Sequence, residues 1–392
     1  MLRRIRRRLG GVAPTSEPPR PPAPPTIAPA PTTSPVPWTP PSAGAKPPLF
    51  FHVGAAKTGT TYLQRLLFAN REQLAAAGVL YPGDHFGAHV QAAFDLRGTG
   101  FDGPDPHAEG RWREFVDAAR DWNGPVVFSQ ELFSPAEPRQ IAAALADLDF
   151  ADVHIVLTAR ELSRQIPAAW QEDVKNRFTT GFDEFVRQVR EPRRLSSRQG
   201  RMFWELQDCV DVLQRWARDV PPERVHVVTV PPPGGPRDTL WRRFASVVGI
   251  EPEFVDAAAA FQNSSLGLVE TTVLRRLNLA LDDEVGWPLY NELVKHHLAQ
   301  DVLVDRAGSL PIRLAEDDRV WAAERARAQA EGLAAAGYDV VGSLRDLLPP
   351  GSPPEAPPDG SPGASAEAQL EVALEAMAAL LLRISRLRRG IR

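Results

Sequence analysis

The chain has 392 residues, 43% hydrophobic and 24% charged, with a formal net charge of −4, so it can bury a large core and gives no ground for general binding to nucleic acid. Its single cysteine, Cys209, excludes an internal disulfide framework and fits a reducing, cytoplasmic compartment, and no Cys/His cluster has metal-ligand spacing. No stretch reaches the roughly 18 consecutive apolar residues of a membrane span, and no apolar signal-peptide core follows the basic start, so export by that route is not expected.

Residues 1–47 join a basic tip, with five arginines between Arg3 and Arg8, to a tract of Pro, Ala, Thr and Ser. Such a composition buries too little apolar surface to order itself and reads as a disordered or polyproline-II tail, its arginines open to anionic lipid or an acidic partner. The folded part, 48–348, opens on the apolar run Leu49 to Val53, a buried strand. A helix is expected from Thr60 to Ala77, with Leu63, Leu66, Leu67 and Leu74 at helical spacing and Gly78 as its stop. The stretch from Tyr81 to Gly103 reads as a long loop and a candidate substrate loop.

Next come a helix over 111–122, a strand over 125–129, a helix over 137–148, a strand over 153–158 and a helix over 161–176. Strands alternating with helices predict a parallel, doubly wound α/β sheet in three layers. A helix from Arg201 to Val220 carries Phe203, Leu206, Val210, Leu213 and Trp216 along one face; a fourth strand spans 224–230 and a helix 238–248. The remainder to Leu348 reads as helical, roughly 265–283, 287–300 and 316–335, forming a lid or side layer. A Pro/Gly/Ser linker, 349–363, leads to a last helix, 364–392, where Leu370, Leu374, Met377, Leu381 and Ile384 recur at spacings of 4, 3, 4 and 3. That is a heptad seam, ending in Arg383, Arg386, Arg388, Arg389 and Arg392. Self-association, contact with a membrane surface and packing on the body are all compatible with it.

The chemistry centres on Gly54-Ala-Ala-Lys-Thr-Gly-Thr-Thr61. A strand, a loop of small residues with one lysine and several hydroxyls, and a helix start together make an anion cradle: amide groups at the helix N-terminus point at the ligand and the lysine adds a mobile charge. A Walker loop would place its lysine after the second glycine, whereas Lys57 precedes Gly59. A second anion-binding segment is expected after the third strand, where Arg160 and Arg164 stand one helical turn apart.

The loop resembles the 5′-phosphosulfate loop of the sulfotransferases that use 3′-phosphoadenosine 5′-phosphosulfate (PAPS), and the segment from Arg160 resembles their 3′-phosphate segment. The resemblance covers residues 48 to about 250. It implies a P-loop-like core, PAPS as donor and no metal. It also implies that Lys57 holds the bridging and sulfuryl oxygens, that Ala56, Lys57, Thr58, Gly59, Thr60 and Thr61 hold the 5′-phosphate, and that Tyr62 lies near the adenine. Arg160 and Arg164 would hold the 3′-phosphate, although the family's usual Arg-Asp-Pro is here Arg160-Glu-Leu162 and its serine position is Ala168. Ser163 or Arg164 are candidates to compensate.

The strand end Val126-Val-Phe-Ser-Gln-Glu131 resembles family members that place a glutamate there, making Glu131 the base toward the acceptor hydroxyl and Ser129 a contact to sulfuryl or phosphate oxygens. His85 and His89 are alternative bases, and His52 is expected to be structural. For the family's late basic, glycine-rich loop, Arg198-Gln-Gly200 and Arg306-Ala-Gly308 are candidates. Glycan, glycolipid and small-metabolite acceptors are all compatible. A nucleotide-dependent kinase and a non-catalytic nucleotide- or partner-binding relative are the alternatives.

Overall fold

The computed structural model describes residues 44–100, 103–191, 197–255, 265–282, 284–304, 306–349 and 365–389. Most of the proline-rich tail, nearly all of the linker, and Arg392 lie outside them.

Five strands, β1 (Pro48–Gly54), β2 (Val126–Ser129), β3 (Asp152–Ala159), β4 (Val225–Thr229) and β5 (Asp339–Val341), form one parallel sheet in the order β2-β1-β3-β4-β5. Side chains alternate strictly across it, as strand geometry requires. Phe51, Phe128, Ile155 and Val227 enter a core on one face, while Phe50, Val127, Val156 and Val228 enter a core on the other. Burial on both faces explains why the strands read as unbroken apolar runs.

The first face is covered by α3 (Ala88–Arg97), α4 (Arg111–Arg120), α5 (Pro138–Asp147) and α9 (Cys209–Trp216), with Trp112, Phe115, Ile141 and Trp216 at the centre. The second is covered by α1 (Thr60–Ala69), α2 (Arg71–Ala76) and α10 (Thr239–Val248), through Leu63, Leu67, Trp241 and Phe244. The result is the three-layer α/β sheet that alternation predicts, with the P-loop-like strand-loop-helix unit that the resemblance implies and a helical C-terminal part.

A third core is built chiefly by helices, α6 (Leu162–Lys175), α7 (Phe182–Arg190), α8 (Arg198–Gln207), α11 (Leu268–Leu281) and α13 (Glu316–Ala335), with Leu266, Ile312 and Leu314 added from loops. These helices are joined by α12 (Trp287–Tyr290), which runs straight into a π-helical stretch, Asn291–Val302, and by α14 (Ala366–Arg388).

Several elements differ from the sequence expectation. The helix expected over 60–77 breaks at Asn70, whose Nδ2 donates back to the Leu66 carbonyl at 2.8 Å. The expected loop 81–103 contains α3; its contacts to the core are made largely by Ala88, Ala92 and Ala93, too small to print an apolar stripe. The helix expected over 201–220 breaks at Asp208, which caps α9 by accepting from the Asp211 amide. Helix α7 and the short, partly exposed edge strand β5 have no counterpart in the sequence reading. Among the described residues no helix is long and apolar enough to cross a membrane.

With strand order 2-1-3-4-5, the connection from β1 leaves toward β2 while β3 lies on its other side. Ligands of open α/β sheets bind beyond the carboxyl ends at such a reversal. Both motifs singled out by sequence, after β1 and after β3, therefore emerge at one crevice.

Candidate functional site

Strand β1 ends in a turn whose backbone accounts for its small residues. Gly54 and Gly59 have φ of 134° and 90°, and a Cβ on Gly59 would lie 2.5 Å from Leu240 Cδ2. Lys57 itself is left-handed, with φ of 62°. Thr58 is fully buried, its hydroxyl donating to the Ala55 carbonyl and meeting Thr158 Oγ1. The Ala55 amide donates to the Thr158 carbonyl at 2.9 Å and the Ala56 amide to the Leu206 carbonyl at 3.1 Å. Thr58 and the 55–56 amides thus fasten the loop to the protein. The amides of the first turn of α1 are the ones that helix geometry leaves without intrahelical partners.

Two cavities meet at this turn, one of about 520 Å³ and one of about 960 Å³; Lys57, Thr61, Arg65 and Lys175 line both. The smaller takes in Gly59 from the loop, Thr60, Thr61 and Tyr62 from the start of α1, Arg160 just after β3, Arg164 from the start of α6, and Arg313 and Arg319 from before and within α13. Among the described residues, no aspartate or glutamate lines it. A helix N-terminus ringed by cations without a carboxylate is a site for a multiply charged anion.

Arg160 donates through Nη1 to the Lys57 carbonyl at 2.9 Å, while its buried Nε has no partner. Burial, then the neighbouring Arg164 cation, lowers its pKa to about 10, leaving it charged near neutrality. Arg164 donates to the Pro231 carbonyl at 3.3 Å. The expected pair does share one cavity. Ala168 lines it as well, so no hydroxyl is offered from that position, and Ser163 Oγ is engaged by Glu161 Oε2 at 2.8 Å.

Neither candidate for the late basic loop reaches the smaller cavity. Arg198 lines the larger one and lies over the Phe178 ring, while Arg306 pairs with Glu270 and Glu375 beside α14. Arg313 and Arg319 stand there instead. They lie in a stretch to which the sequence reading assigned no chemistry.

The larger cavity holds Ala56, Glu131, Glu172, Asp173 and Lys295, with Phe86, Phe94, Phe178 and Trp287 among its apolar walls. Glu131 Oε2 accepts from Gln64 Nε2 at 2.9 Å. Ser129 does not line it: fully buried, its hydroxyl bonds His52 Nδ1 at 2.8 Å and its amide donates to His89 Nδ1 at 3.2 Å. His52 also reaches Thr158 Oγ1, and burial pushes both histidines down to about 3. His89 is therefore a neutral core residue whose Nε2 donates to the Pro82 carbonyl. His85 bonds Gln91 on the surface and lines neither cavity.

Two carboxylates at the end of α6 were not singled out by sequence. Glu172 gathers three lysines: Lys57 at 2.8 Å, Lys175 at 2.9 Å and Lys295 at 3.3 Å. Their positive charge holds its carboxyl well below the usual range in spite of burial. Only the i, i+3 pair with Lys175 was readable in the sequence.

At Asp173 burial outweighs the pull of the Lys57 and Arg198 cations. Asp173 accepts from Gln199 Nε2 at 2.8 Å, and burial raises its pKa from 3.8 to about 7. Between those values the folded protein retains a proton that the unfolded chain has lost, so this group makes stability fall as pH rises from about 4 to about 7. Asp173→Asn, which preserves an acceptor for Gln199, is expected to gain roughly 1–3 kcal/mol over wild type at pH 8 and little at pH 4. Urea unfolding at the two pH values measures this, and equal shifts at both would contradict it.

No family model and no curated protein matches the chain. Among solved structures it is similar to a sulfotransferase from Alicyclobacillus acidocaldarius, at 17% identity and a TM-score of 0.38, over 62% of this chain and 98% of that one.

Proposed function

We propose that the chain is a PAPS-dependent sulfotransferase that moves a sulfuryl group to a hydroxyl or amine of a glycan, glycolipid or small metabolite. The observation that carries this reading is the smaller cavity. Among the described residues, seven cations and no carboxylate line it, and Lys57 stands where that cavity opens onto the larger, mixed one. A donor bearing phosphate groups at two positions needs such a distribution, with Thr60, Thr61 and Lys57 for the 5′-phosphosulfate and Arg160, Arg164, Arg313 and Arg319 for the 3′-phosphate. Tyr62 borders the same space for the base.

The larger cavity would take the acceptor between its aromatic walls and its charged rim. Glu131 removes the acceptor proton as the acceptor oxygen or nitrogen bonds to sulfur in line with the breaking sulfur–oxygen bond. Lys57 stabilises the charge that gathers on the departing phosphate oxygen. Having three N–H donors, it can do so while retaining Glu172. Adenosine 3′,5′-bisphosphate and the sulfated acceptor are the products. The lone cysteine, buried in α9, supports a reducing, cytoplasmic setting.

Calorimetric titration with adenosine 3′,5′-bisphosphate beside ATP tests the donor site. Micromolar binding of the bisphosphate, with ATP much weaker, is expected. Arg160→Ala should weaken it about 10- to 100-fold, the worth of charge-assisted hydrogen bonds. Absence of bisphosphate binding in the wild type would overturn the proposal.

A further inference from the structure

Helix α14 presents an apolar face that none of the described residues covers. It docks on α11 and the π-helical stretch through Val372 and Ala376, both buried, with Arg306 pairing to Glu371 and Glu375 and Arg383 pairing to Glu292. At about 100° per residue, Leu370, Leu374, Met377, Leu381 and Ile384 fall in a narrow sector on the opposite side from Val372. All five are exposed, between 42% and 68%. The heptad seam and the docking face are thus different faces of one helix, and docking leaves the seam free.

The charges of α14 are segregated along its length. Glu367, Glu371 and Glu375 lie in its first half, and Arg383, Arg386, Arg388 and Arg389 close it. A helix made for an anionic lipid surface carries cations along its whole polar face, which the acidic half contradicts.

We infer that the seam pairs antiparallel with that of a second copy of this chain, about a two-fold axis near Met377. That register sets Leu370 against Ile384, Leu374 against Leu381 and Glu367 against Arg388, so apolar layers and opposite charges align together. Parallel pairing would set Arg388 on Arg388 and Glu367 on Glu367.

The test is sedimentation of the full chain. The wild type is expected at twice the 43.0 kDa chain mass at micromolar concentration. Leu374→Glu with Leu381→Glu, both at exposed positions, is expected to sediment as a monomer with unchanged circular dichroism. Arg388→Glu should weaken the dimer at least several-fold, and Arg388→Glu combined with Glu367→Arg should restore it.

Orientation is read by oxidative cross-linking, since the native Cys209 is buried. Leu370→Cys chains should cross-link to Ile384→Cys chains and not to one another. A monomeric wild type, a dimer indifferent to the Leu374/Leu381 change, a dimer tightened by Arg388→Glu, or self-linking of Leu370→Cys would each overturn the inference. So would a monomer that floats with anionic phospholipid vesicles through this helix.

Discussion

Lys57→Ala is expected to lower kcat for sulfuryl transfer by roughly 10²–10³-fold while changing bisphosphate affinity much less. The lysine is the one cation held by the loop between β1 and α1, and it borders both cavities. Charge that appears only as the donor bond breaks is worth most to a preorganised cation next to it, and removing one such donor costs about 2.7–4 kcal/mol of transition-state stabilisation. In the proposed reading, affinity for the product is spread over the arginines of the smaller cavity, so it should survive better. Release of adenosine 3′,5′-bisphosphate with an acceptor found by screening measures the rate, and calorimetry measures the affinity. A variant within threefold of wild-type kcat would remove Lys57 from the chemistry. Lys57→Arg should recover little, because a planar guanidinium does not replace a compact ammonium in a turn this tight.

Glu172→Gln is expected to destabilise the fold by about 2–3 kcal/mol at pH 7. One carboxylate balances three ammonium groups, and Lys175 is almost wholly out of water. Leaving buried charge uncompensated is what makes breaking such a network costly. The value is set below the fully buried case because Glu172 keeps part of its surface exposed and solvent screens it.

The sign follows from its depressed pKa: the folded state favours the ionised form, so the stabilisation is present above the ordinary carboxylate range and is lost as pH falls through and below it. The gap between wild type and Glu172→Gln should therefore be largest near neutrality and shrink in acid. Urea unfolding at pH 7 and pH 4 checks it, and a variant as stable as wild type at pH 7 would show that the lysines find other partners. The same network sets where Lys57 points, so the variant should also alter turnover.

How much of this was legible beforehand depended on how local the cause is. The run Leu49 to Val53, the small residues Gly54 to Gly59 and the apolar β3 specify a strand, a tight turn and another strand through neighbours in sequence alone. Arg160 and Arg164 could be read as a pair from their spacing, but Arg160 precedes α6 and they meet because the end of β3 turns directly into that helix. By contrast, α3 escaped notice because alanines can fill a tight core without marking a stripe, and the breaks at Asn70 and Asp208 are made by single side chains returning to nearby backbone. Ser129 was assigned to a ligand on the strength of its place at a strand end; the interior claimed it, because His52 and His89 converge on it from β1 and α3. Thr58 was likewise taken up by Thr158 across the sheet.

By itself the sequence determined the alternation that makes a parallel three-layer sheet, the tight strand-turn-helix around Lys57 and the heptad seam of the last helix, because each is written in spacings of a few residues. The tertiary structure alone decided that Arg313 and Arg319 join Arg160 and Arg164 in one cation-lined cavity, that Glu172 collects lysines from three segments, and that the seam of α14 faces outward. These depend on chain segments distant in sequence being brought together by burial of apolar faces, and charge spacing along a sequence carries no record of that meeting.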